Sequence, residues 1–271
     1  MMKKQKILIN INNLDEIEEY KKIGINNFLF ALKGFSVGYD DFPLESIPKD
    51  SYVLINRVLD SKGIDELKSI KDELSEFRGV IFEDLGVYNA LKGSVNLIWN
   101  QAHFGTNTSS INFWLSKCSS AVLSNEITKE EIKEIIDGVN GEVVFNVFGK
   151  NMIAYSRRTL LSNFNRYNNL DEFNNMLLSE NITKNDFYLK ENEYGTAIFS
   201  NDYFNYISFS ESLNDDKIKY YLIYNLDLTV DKINSILEGE DFGNDGFLNK
   251  KTVYRMSEYT DREARKWKVN Y

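Results

Sequence analysis

Cysteine occurs once in these 271 residues, at Cys118, and histidine once, at His103. A single cysteine cannot close an intrachain disulfide. Nor can this chain alone build a zinc or iron–sulfur site that needs several thiolates. A single histidine removes the HExxH class of metal site, and no Walker A or GxGxxG pattern is present. No apolar run approaches the roughly 20 residues that cross a bilayer. The opening MMKKQKILININN carries basic residues, but its apolar run is short and broken by Asn10 and Asn12. It reads as a first strand rather than a signal peptide. Together these absences lead us to expect a cytoplasmic protein with no membrane partner, no metal and no cofactor.

What is present suits a packed α/β domain. Hydrophobic residues make up 42% of the chain and aromatics 14%, enough for a sizeable core. The net charge of −9 argues against a general binder of phosphate backbone, so nucleic acid is not an expected partner. A local basic patch could still hold RNA.

The main pattern is a rhythm between Gly79 and Asn151. The runs GVIFEDLG, VNLIWNQAHFG, AVLSNEI and EVVFNVFGKN each pass from apolar to polar, with helical segments between them. Short apolar runs alternating with helices indicate parallel strands and crossover helices. The expected fold is an α/β TIM-type (β/α) barrel, with incompleteness or distortion allowed for in its second and last units.

Strands are expected at 6–11, 27–32, 52–58, 80–82, 96–99, 121–123, 143–147 and 219–225. Helices are expected at 14–23, 64–77, 87–91, 109–117 and 230–237. Thr128 with Glu131 three residues on forms a capping-box start for a further helix, whose apolar face is Ile132, Ile135, Ile136 and Val139. The segment 33–50 holds both prolines and reads as an irregular connection or short helix. Residues 163–184 read as loop and helix without a strand, and 187–209 as one or two hairpins. The reading is of one domain over 1–271, regular to residue 162 and elaborated from 163 onward.

In such barrels chemistry gathers where the strands end. Glu83 and Asp84 close one strand, where either could act as a base or hold an amine, or could cap the short helix that follows. Asn100, Gln101 and His103 leave the next strand. Asn125 and Glu126 leave the one after, where Glu126 either lines a pocket or favours the helix N-terminus. Asn146 and Lys150 stand at the end of the next strand. Arg157 and Arg158 could hold a carboxylate or phosphate, or form ion pairs. Ser156 lacks a second histidine, which makes a Ser-His-Asp triad a poor reading. Cys118 reads as a small buried residue.

The order of these pieces resembles peptidase family U32, the collagenase-like peptidases. FEDLGVYNAL, VLSNEITKEEIKEI, VFGKNMIAYSRRTLLSNF and FYLKENEYG carry the resemblance, which runs from about Ile7 to Leu237. Departures from the family pattern are specific. The family's His before Gly falls at Phe148, with Gly149 retained, and its two cysteines fall at Met152 and Thr159. A second cysteine pair has no counterpart in 163–184. The family's Lys-Ile-Glu-Gly-Arg motif falls near Tyr221–Leu226, which reads YLIYNL. Family members that hydroxylate RNA bases or a ubiquinone precursor hold a four-cysteine iron–sulfur cluster, and this chain cannot build one.

Two expectations follow. One is a peptidase or hydrolase with Glu83, His103 and Glu126 as its catalytic candidates. Asp84, Asn100, Gln101, Asn125, Arg157 and Arg158 would then bind a peptide or small polar ligand. The other is a cluster-free binding protein or pseudo-enzyme that works beside a cysteine-bearing homologue.

Overall fold

A computed structural model describes residues 4–101, 103–182 and 184–250. The part of the elaborated C-terminal third beyond Lys250 lies outside the described residues. Strands β1 (Ile7–Asn10), β2 (Asn27–Leu32), β3 (Asp41–Phe42), β4 (Tyr52–Ile55), β5 (Gly79–Phe82) and β6 (Leu97–Trp99) precede β7 (Ser120–Leu123) and β8 (Val143–Ser156). Then follow β9 (Asn175–Ser179), β10 (Asp186–Asn192), β11 (Gly195–Asn205) and β12 (Ile218–Ile223). Strands β1, β2, β4, β5, β6, β7, β8 and β12 run parallel around a ring. The ring closes where β12 pairs with both β8 and β1. The fold is therefore a closed α/β barrel of the TIM type, complete in its eight strands.

Side-chain alternation along each strand divides the core into two layers. Ile7 and Ile9 of β1, Val80 and Phe82 of β5, and Leu97 and Trp99 of β6 point outward, into the layer shared with the helices. Leu8, Ile81, Ile98, Val122, Val144 and Leu222 fill the barrel interior. Strands buried on both faces are continuous apolar runs, which is why the rhythm showed in the sequence.

The helical layer comprises α1 (Glu16–Lys22), α2 (Ser61–Ser69), α3 (Lys71–Leu74), α4 (Leu85–Leu91), α5 (Thr108–Leu115) and α6 (Lys129–Gly138). It continues with α7 (Leu160–Asn168), α8 (Ile207–Ser210) and α9 (Val230–Leu237). The Thr128–Glu131 capping box forms as expected at α6. The expected helix over 64–77 is broken at Ile70 into α2 and α3. That bend lets Leu67, Leu74 and Phe77 all reach the core.

Distortion is confined to two places. The second unit has no crossover α-helix, only β3 and a turn of 3-10 helix at Leu44–Ser46. In that loop Gly38 adopts φ +80°, where a Cβ would lie 2.7 Å from Ala197 Cβ, so only glycine fits. The other place is β8, expected to end at Val147 but continuing to Ser156. Its second half leaves the ring and pairs antiparallel with β11, which pairs with β10, and β10 with β9. The strand β9 corrects the expectation of a strand-free 163–184.

Candidate functional site at the barrel mouth

The same alternation that fills the barrel with Ile81, Ile98, Val144 and Leu222 turns the next inward position of each strand toward its C-terminal mouth. Those positions are Glu83, Asn100, Asn146 and Tyr224, and Asn56 follows Leu54 of β4 in the same way. All five line a cavity of about 260 Å³. Tyr39 from the second-unit loop, Lys150 and Asn151 from β8, and Asn125 after β7 complete much of its wall.

Glu83 is the central titratable group. Burial pushes its carboxyl up to about 8, so it is largely protonated at neutral pH. Asn100 Nδ2 donates to Glu83 Oε1 at 3.3 Å and to the Tyr224 hydroxyl at 3.2 Å. The Tyr224 ring stacks on Tyr39 with centroids 5.1 Å apart. Burial first, and then the neighbouring Glu83, raises the phenol of Tyr224. For Tyr39 burial is again the larger cause, with Tyr224 and Glu83 adding to it. Gly149 brings β8 close beneath this pair: a Cβ there would lie 3.0 Å from both Cβ and O of Tyr224.

Amides dominate the rest. Asn56 exchanges two hydrogen bonds with the backbone of Val37, fixing the loop that carries Tyr39. Asn125 donates to Asn151. Asn146 is buried, and its Oδ1 has no hydrogen-bond partner among the described residues. Lys150 is also buried, its Nζ 4.7 Å and 5.0 Å from the ring centroids of Tyr188 and Tyr203. Burial lowers its pKa, against the pull of Asp227 and Asp202.

The remaining candidates divide by position. Gln101, His103 and Glu126 line the same cavity, and His103 Nδ1 lies 2.9 Å from Glu126 Oε2 at its exposed rim. Asp84 also borders the cavity, but it caps α4: Oδ1 accepts from Gly86 N at 2.6 Å and Oδ2 from Leu59 N at 2.9 Å. Arg157 and Arg158 are exposed and outside the cavity lining, and Arg157 pairs with Asp60 at 3.5 Å. Tyr39, Asn56 and Tyr224 were not among the candidates, whereas Asn146 and Lys150 were expected at a strand end and do line the cavity. Counting two residues on from the last apolar inward position would have found Asn56 and Tyr224. Tyr39 arrives on a loop, and no local pattern signals it.

The donor set does not fit an iron–sulfur cluster. Met152 lines the mouth where the family pattern has a cysteine, and Thr159 is the residue preceding α7. Cys118 follows α5, half-buried, and burial raises its thiol to about 11. Among the described residues no three His, Cys, Asp or Glu side chains group to hold a metal ion. Nor, among them, is any helix long and apolar enough to cross a membrane.

Fold and site together define a parallel β/α-barrel protein with an amide-lined mouth at the strand C-termini. The sequence model of peptidase family U32 matches residues 45–223, and the chain belongs to that family. The tRNA hydroxylation protein P2 of Bacillus subtilis (strain 168) is 25% identical over 223 residues, covering 73% of this chain and 72% of the relative. The structure of the U32 peptidase Mk0906 superposes with a TM-score of 0.50 at 10% identity, over 83% of this chain and 94% of that one. That likeness establishes a shared fold.

Proposed function

We propose that this chain is the cluster-free, base-binding member of a tRNA hydroxylation system. It works beside a cysteine-bearing homologue that carries the redox chemistry. The observation behind this reading is the pairing of two groups in one mouth. Protonated Glu83 presents a donor and an acceptor side by side, and Asn146 Oδ1 is a buried acceptor with no protein partner. A buried unpaired acceptor costs roughly 1–3 kcal/mol, which a ligand N–H would recover. A neutral planar heterocycle with adjacent N–H and C=O groups matches both, and the amides and tyrosines around them suit its edges and faces. The tRNA hydroxylation role of the Bacillus relative supports the substrate class. With a net charge of −9, general backbone binding falls to the partner. A tRNA substrate is also consistent with a cytoplasmic protein.

Nucleoside mass spectrometry of tRNA from a deletion strain tests this. The expected result is loss of a nucleoside one oxygen heavier than its parent, restored by the wild-type chain and not by Asn146→Leu. An unchanged nucleoside profile in the deletion strain sinks the reading.

A different observation favours a second reading, peptide hydrolysis. The His103–Glu126 contact at the rim is a carboxylate-oriented imidazole that could take a proton from water. Hydrolysis of a peptide panel by the purified chain, lost in both His103→Ala and Glu126→Gln, would establish it. Inactivity of the wild type on the panel would remove it.

A further inference from the structure

The 41 residues from Leu85 to Asn125 contain no Asp or Glu, in a chain that carries 41 acidic residues. The stretch spans α4, β6, α5 and β7, and its lysines are Lys92 and Lys117. Between α4 and α5 it forms an open groove of about 550 Å³ lined by Leu85, Trp99, Phe104, Phe113 and Trp114. Glu83 and Gln101 line both this groove and the mouth, so the two are continuous. Phe104 is 66% exposed, Leu85 59% and Phe113 56%, although Trp99 and Trp114 stack behind them at 4.8 Å. Lys117 Nζ lies 5.9 Å from the Phe113 ring, and Lys92 Nζ 5.5 Å from Tyr88, whose ring meets the Trp114 ring at 5.6 Å. Asp84 borders the sector, but its carboxylate is held by two backbone N–H groups.

Exposed rings flanked by lysines, in the longest run of the sequence free of Asp and Glu, complement a single-stranded nucleic acid: bases stack on the rings and phosphates meet the cations. We propose that this face stacks the unpaired base adjoining the one held in the mouth, with Lys92 and Lys117 contacting the flanking phosphates. The inference rests on the base-binding reading and adds the direction in which the strand leaves the site. The run is the longest without Asp or Glu in an acidic chain, and a merely apolar protein interface would not require it.

Fluorescence anisotropy of a short labelled single-stranded RNA on the full chain is the test. Phe104→Ala with Phe113→Ala should weaken binding about tenfold or more, since base–ring stacking is a sizeable part of such affinity. Both side chains are exposed, so thermal melting should be unchanged. Lys92→Gln with Lys117→Gln should lower the log–log salt slope by about 0.7 per lost phosphate contact. Duplex RNA should not compete. Asn146→Leu reports on the mouth separately. If it weakens binding while both paired variants bind as wild type, the stacking face is overturned and the base-binding reading survives. If the wild type binds no RNA, both fail. If the phenylalanine variant keeps its RNA affinity but loses co-precipitation with the cysteine-bearing homologue, the groove is a protein interface and the proposal is overturned.

Discussion

Glu83 and Asp84 are neighbours in the chain with opposite surroundings. Both oxygens of Asp84 accept backbone N–H groups, from Gly86 and Leu59. Among the described residues the Glu83 carboxyl accepts one hydrogen bond, from the Asn100 amide at 3.3 Å, and burial raises its pKa to about 8. One carboxylate builds a helix start, and the other faces the cavity.

Glu83 sets a pH dependence with a definite sign. Its folded-state pKa lies above the ordinary value of 4.5. Its contribution is therefore full below about pH 4.5 and is lost as pH rises toward 8. Glu83→Gln should abolish this slope and be roughly 1–3 kcal/mol more stable than wild type above pH 8. Urea melts of both proteins across that range check it.

Glu191 should behave in the opposite sense. This buried carboxylate accepts from the backbone N–H groups of Leu161 and Ser162 and from the hydroxyls of Ser162 and Thr196, securing the start of α7. Burial alone would raise its pKa, but these hydrogen bonds outweigh that and hold it low. Its stabilisation is present above the ordinary carboxylate range and is lost as pH falls through the depressed value. Glu191→Ala should cost about 3 kcal/mol at pH 7 by denaturant melt, and less in acid.

Asn146→Leu should separate stability from binding. Removing an unpartnered buried acceptor should stabilise the fold by about 1 kcal/mol, while the mouth loses its ligand contact. Thermal melting and RNA anisotropy measured on one preparation would show both effects or refute the pairing.

Gly149→Ala should press on Tyr224 and disturb its stack with Tyr39. We expect a loss of roughly 1–3 kcal/mol, with a further loss of ligand affinity. Gly141→Ala is a suitable control, because a Cβ there meets only Leu115 methyl carbons at 3.6 and 3.7 Å.

The barrel could be read from the sequence because its strands are short apolar runs covered on both sides, and a run such as Val80–Phe82 states that directly. Val230–Leu237 was legible as a helix because its apolar face packs without interruption. The last third hid its structure for a physical reason. Among the described residues β9 pairs only with β10, and it is largely exposed, so nothing compels an apolar pattern. The extension of β8 is fixed by pairing with β11, some 40 residues distant, and local sequence carries no trace of it. At the site, strand ends pointed to Glu83, Asn100 and Asn125, but adjacency alone could not tell Glu83 from Asp84. Arg157 and Arg158 lie past the point where β8 has left the ring, so closeness in sequence to a strand end misplaced them.

Closure of the barrel between β1 and β12 also constrains how the protein is made. Ile7 has as its neighbour Tyr221, a residue synthesised more than two hundred positions later. Until the ribosome has released that strand, the first and seventh staves of the ring expose unpaired apolar edges. Loop closure over such a distance costs little more than over half of it, so the penalty is one of time rather than equilibrium. The nascent chain therefore passes through a long interval as an open, adhesive sheet. Its yield in a cell will depend on what shields those edges until the last stave arrives.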